Sequence, residues 1–152
     1  MSTLDPKSIA PRVGTIYPAQ FAGSVAGREK RALGDRFGLT QFGVNLTTLA
    51  PGSRSALRHW HEREDEFVLV LEGELVLVDD AGEHVLGTGM CAGFKAGVAN
   101  GHCLINKSKV PATYVEVGTR SADEVAHYPD VDMKAVKVAG KFTVTKKDGS
   151  NF

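Results

Sequence analysis

From Gln41 to Val117 the chain alternates short β-branched or apolar runs with glycines and acidic turn residues. Runs of about four to eight such residues, closed by turn signals and lacking a sustained helical period, predict strands. The predicted strands are Gln41–Leu49, Ala56–His61, Phe67–Leu71, Glu74–Val78, His84–Leu86, Met90–Phe94, His102–Asn106 and Thr113–Val117. In Phe67-Val68-Leu69-Val70-Leu71 both alternating sets are apolar, which predicts a strand covered on both faces. Gly73 marks a tight link to the next strand, and Asp79-Asp80-Ala81-Gly82 a turn. The class expected is all-β, a sandwich or barrel.

The flanks read differently. Residues 1–40 are expected to form an N-terminal arm that packs on a barrel spanning 41–120 or on a partner subunit. Within the arm, Gly23 to Arg31 mixes glycines and basic residues but lacks the Gly-Lys-Ser/Thr ending of a phosphate loop. Residues 121–152 are expected to be a C-terminal extension, with Phe142-Thr143-Val144 as an edge strand guarded by lysines.

Composition narrows the class. A chain of 152 residues is most simply one domain. Eighteen basic and eighteen acidic side chains cancel, so there is no electrostatic case for nucleic acid or an anionic membrane as partner. Met1 to Ala10 has no apolar stretch of the kind a signal peptide needs, and apolar runs elsewhere are strand-sized. The expected location is cytoplasmic, with Cys91 and Cys103 reduced and both buried as small hydrophobes.

The chemistry concentrates in His59-Trp60-His61-Glu62-Arg63-Glu64-Asp65-Glu66 and in His102. On a strand His59 and His61 share a face, with Cα atoms roughly 6.6 Å apart, while Trp60 points the other way. Glu66 follows His61 by five residues, so a bend at Glu62 to Asp65 must correct its parity. Glu62, Glu64 and Asp65 are expected to be solvated, and His84 and His127 to be surface histidines. Imidazoles with a carboxylate suit ferrous iron, zinc or manganese.

The segment from Gly52 to Gly73, with His59-x-His61, Glu66 and a closing glycine, resembles the first motif of the cupin superfamily. Gly89 to Asn106 resembles the second, with Lys95-Ala96-Gly97 where the family has Pro-x-Gly, and three residues between His102 and Asn106. Four residues rather than two separate Gly97 from His102. The shorter spacing would put Asn100 in the ligand position, but an amide oxygen is a poor transition-metal ligand, which favours His102. Lys95 is either a solvated loop lysine or a cation for an anionic substrate, and Asn106 either satisfies a turn or orients the site.

The resemblance implies a single-domain jelly-roll β-barrel, the double-stranded β-helix. It also implies a homodimer and one divalent transition metal (Fe, Mn, Zn or Ni) on His59, His61, Glu66 and His102. It is closest to small bacterial cupins described as sugar-phosphate isomerase-like. The function expected is metal-dependent chemistry on a small hydroxylated or carbonyl compound, with Glu66 or Glu72 moving a proton. The alternatives are an iron-dependent dioxygenase and a non-catalytic module that binds or senses a small molecule.

Overall fold

Period-two burial extends beyond the predicted barrel in both directions. The computed structural model describes residues 2–152, and Met1 lies outside the described residues. Among these residues twelve strands form: β1 (Arg28–Ala32), β2 (Phe42–Leu49), β3 (Trp60–His61), β4 (Glu66–Glu72), β5 (Glu74–Asp79), β6 (Gly82–Gly87), β7 (Cys91–Phe94), β8 (Cys103–Ile105), β9 (Ala112–Thr119), β10 (Glu124–Tyr128), β11 (Met133–Val138) and β12 (Lys141–Thr145). Two one-turn helices, α1 (Ala19–Ala22) and α2 (Leu33–Arg36), accompany them. Among the described residues no helix is long and apolar enough to cross a membrane.

The strands assemble into three antiparallel sheets, ordered β1-β2-β9-β4-β7, β6-β5-β8 and β12-β11-β10-β3. Together they make the expected jelly roll. One core packs Leu49, Val70, Leu75, Leu77, Leu104 and Tyr114 between the first two sheets. A second core gathers Tyr128, Met133 and Ala135 of the third sheet with Tyr17 and Phe21 of the arm.

Several strand boundaries differ from the sequence expectation. Of Ala56–His61 only Trp60 and His61 are strand, because the residues before them pair through a single isolated bridge, His59 with His102. The strand expected to be covered on both faces is covered on one. Val68 and Val70 of β4 are buried, whereas Phe67 and Leu71 are exposed. It is β5 that is buried on both sides, through Leu75, Val76 and Leu77.

The flanks also supply structural strands. β1 is an edge strand of the five-stranded sheet, and β10 pairs with the strand that carries His61. β12 is the lysine-flanked edge strand. Gly73 links β4 to β5 at φ +78°, where a Cβ would lie 3.0 Å from that of Ala112. That conformation and that space both call for glycine.

Candidate metal centre

Three pieces of strand pairing bring the site together. His59 and His102 exchange backbone N–H···O=C bonds of 3.1 and 2.9 Å, which sets their side chains on one face. His61, two residues on from His59, is fixed opposite Ala126 on β10, and Trp60 opposite His127. Trp60 stacks on the His127 ring on the reverse face, at 4.4 Å between centroids. Glu66 opens β4 opposite Phe94 of β7.

The bend between His61 and Glu66 is held by polar contacts to the backbone, with the buried Glu124 carboxylate at their centre. Glu124 accepts backbone N–H bonds from Glu62 at 2.8 Å and from Arg63 at 3.0 Å. Asp65 donates its N–H to the Thr119 hydroxyl, and its carboxylate accepts the N–H of Ala96. Gly97, at φ +77°, returns its own N–H to the carbonyl of His61. The bend and the turn after β7 are therefore tied to each other, and the parity of Glu66 is corrected.

Around Glu66 Oε2 lie His102 Nε2 at 2.8 Å, His61 Nε2 at 3.5 Å and His59 Nε2 at 3.8 Å. Four ligand atoms, each about 2.1 Å from one ion, would be separated by roughly 3 to 3.5 Å. The donor set therefore fits a divalent metal, with His59, His61 and Glu66 already within 4.8 Å of one another. His102 reaches the group through its hydrogen bond to Glu66. His59 Nδ1 lies 2.8 Å from the carbonyl oxygen of Leu57, which can only accept. Nδ1 thus carries the proton, and the Nε2 lone pair is turned to the cluster. His61 Nδ1 is buried without a hydrogen-bond partner, with Glu124 Oε1 at 3.9 Å.

Burial pushes His59 down to about 4, so its ring is neutral at physiological pH, the form that binds metal. Burial opposes ionisation of Glu66, but the hydrogen bond from His102 and the neighbouring imidazoles outweigh it and hold the carboxyl well below its usual range. Burial, with Tyr17 alongside, raises the Tyr128 phenol. Tyr128 stacks on His59 as a neutral ring, 5.6 Å between centroids.

The cluster sits between two cavities of about 230 Å³ each. The first lies inside the barrel and is lined across from the imidazoles by Arg28, Lys30, Tyr114 and Glu116. The second is lined by Trp60, Glu64, Lys95 and Val98. His61, Glu66, Phe94 and His102 border both.

Glu72 is exposed at the far end of β4, past a register shift between Val70 and Glu72, and lines neither cavity, so it is not brought to the cluster. Glu64 is not solvated. It is paired with Lys137, the two side chains being only 11% and 10% exposed. Asn100 is occupied with Asp79 and Asp80, and the long turn leaves His102 facing Glu66. Asn106 donates to the carbonyls of Leu49 and Val110, satisfying a turn. Cys103 is buried but Cys91 is exposed, a correction that follows from its place on edge strand β7, and neither forms a disulfide. His84 is exposed beside Asp79, and His127 is partly covered by Trp60 and bonded to Glu62. Lys95 is exposed at the second cavity.

Sequence reasoning passed over Glu124, Phe94, Tyr128 and Arg28. The only sequence signal for Arg28 and Lys30 is their spacing of two, which on a strand puts both on one face.

A cupin domain model matches residues 45–118. The chain is 50% identical to a protein of Silicibacter pomeroyi whose crystal structure is described as a sugar phosphate isomerase from the cupin superfamily. That match covers 99% of this chain and 96% of the other, with a TM-score of 0.95. A protein of Acidithiobacillus ferrooxidans proposed to be a sugar phosphate isomerase is 25% identical over 95% of this chain and 88% of its own, with a TM-score of 0.79. The polyketide cyclase RemF of Streptomyces resistomycificus shares the fold at 19% identity over 78% of this chain and 79% of its own, with a TM-score of 0.65. No curated protein matches the chain. The chain belongs to the cupin superfamily.

Proposed function

We propose that this cupin is a metal-dependent isomerase of a small phosphorylated sugar or related carbonyl compound. The observation that carries this reading is the convergence of His59, His61, His102 and Glu66 on a cavity of about 230 Å³. The 50% identity to a protein described as a sugar phosphate isomerase supports it. His59, His61, Glu66 and His102 would hold one divalent ion, which when bound polarises a substrate carbonyl and acidifies the adjacent C–H.

The protein's own residues supply the rest. Leu57 fixes the tautomer of His59, and Phe94 and Tyr128 flank the imidazoles with aromatic rings. Glu116 is the other carboxylate lining this cavity, and we assign proton exchange with the substrate to it in place of the distant Glu72. Lys30 at 2.5 Å, Asn45 at 2.9 Å and the Tyr114 hydroxyl at 3.2 Å fix its orientation.

The test is a panel of aldose and ketose phosphates in deuterated water with protein loaded separately with iron, manganese, zinc or nickel. Isomerisation with deuterium entering the carbon next to the carbonyl is expected, and His61→Ala should abolish both turnover and stoichiometric metal. Protein that carries one metal per chain yet catalyses no exchange on any member of the panel would overturn the reading.

A further inference from the structure

Arg28 and Lys30 lie on β1 opposite Leu49 and Thr47 of β2, so both point toward the barrel interior, and both line the cavity that His59, His61, Glu66 and His102 border. Their charges are treated differently. Lys30 is neutralised by Glu116 at 2.5 Å. Arg28 Nη1 donates to the carbonyl of Ser55 at 2.5 Å and Nη2 to that of Gly14 at 3.1 Å. Among the described residues no carboxylate makes an ion pair with it. Two neutral carbonyls orient the guanidinium and leave its full charge and its other N–H groups uncommitted. A half-buried guanidinium without a counter-charge favours an anion, since bringing one in restores the electrostatic balance of a poorly solvated site.

We propose that Arg28 is the anion-recognising residue of the cavity and takes the phosphate group of the substrate, whose opposite end reaches the imidazole cluster. The identity of the anion as a phosphate rests on the isomerase reading, whereas the location of the anion site rests on Arg28 alone. Lys30 is a second cation held in reserve by Glu116. The pair Lys30–Glu116 sits one strand step further along β1, so it contacts the substrate between the phosphate and the carbonyl. The sequence class that this explains is the basic stretch Arg28-Glu29-Lys30-Arg31. Its alternation sends Arg28 and Lys30 inward and Glu29 outward, where it meets Arg31 at 3.5 Å on the surface side of the strand.

The probe is inorganic phosphate, titrated calorimetrically into metal-loaded wild-type protein and into Arg28→Gln, Glu116→Gln and His61→Ala. Loss of a charge-assisted bidentate contact should weaken phosphate binding about tenfold or more in Arg28→Gln with metal content unchanged. Glu116→Gln frees Lys30 and should tighten phosphate binding several-fold, an effect that loss of structure cannot produce. His61→Ala should keep phosphate binding, because the site does not depend on the metal. Unchanged affinity in Arg28→Gln, no tightening in Glu116→Gln, or loss of binding in His61→Ala would each overturn the proposal. Arg28 also ties Gly14 and Ser55 to the barrel, so Arg28→Lys, which keeps the charge but not the planar fork, is the second variant if Arg28→Gln does not fold: it should bind phosphate several-fold more weakly than wild type, and equal affinity would overturn the proposal. A wild-type protein that isomerises no sugar phosphate would sink the functional reading while leaving the phosphate titration to be judged separately.

Discussion

The ring of Phe94 lies flat on the imidazole of His102, with centroids 3.5 Å apart and planes within 1° of parallel. Phe94 is also the register partner of Glu66, so one β7 side chain braces the histidine that hydrogen-bonds that same carboxylate. Supporting residues of this kind typically change metal affinity by about tenfold to a hundredfold. Phe94→Leu, which keeps most of the apolar volume, should therefore weaken metal binding by about tenfold in a chelator competition. Equal affinity for the variant and wild type would show that the stack does not position His102.

Glu124 is buried and accepts N–H bonds from Glu62, Arg63 and Val125. Removing the carboxylate leaves these N–H groups without their acceptor, empties a buried position and loosens the bend that aims Glu66. Glu124→Ala should cost about 3 kcal/mol of stability in urea denaturation, and Glu124→Gln less, since one acceptor remains. A loss under about 1 kcal/mol for the alanine variant would mean that water replaces the carboxylate, contrary to its burial.

The pair of Glu64 and Lys137 spans the bend and β11 with both side chains nearly excluded from solvent. Breaking such a pair leaves one buried charge uncompensated. Lys137→Met alone should destabilise by about 3 kcal/mol or more, and adding Glu64→Leu should recover most of that loss. A double-mutant cycle with no coupling between the two positions would contradict the ion pair.

His59 makes the metal-free protein sensitive to acid. Its folded value of about 4 lies below the ordinary histidine value, so between the two the unfolded chain binds more protons and stability rises with pH. This contribution is fully present above about pH 6.5 and is lost as pH falls toward 4. Between pH 7.5 and 5 the chelated protein should lose about 2 kcal/mol through this group. Denaturation of His59→Gln over the same interval should show a correspondingly shallower slope. An identical slope would assign the acid sensitivity to other residues.

The shared face of His59 and His61 was legible because strand parity is a local property that two residues carry in themselves. The bend before Glu66 was legible as a necessity, since five residues in a straight strand put the two on opposite faces. What holds that bend was not legible. Glu124 lies more than fifty residues away in the chain, and a lone glutamate at a strand start reads as solvated until the pairing of β10 with β3 buries it. Glu64 was misjudged for the same reason, because its partner Lys137 arrives from a strand that sequence reading left unassigned.

The class, the spacing of the imidazoles and the resemblance could all be read along the chain, because hydrophobic period, turn residues and motif spacing are short-range. Which carboxylates and cations face the cavity was settled by the folded arrangement. It set Glu72 outside, turned Asn100 away and sent Arg28 and Lys30 inward. Facing is fixed by which strands pair and in what register, and backbone hydrogen bonds between distant segments set that register in a way no single run of residues encodes.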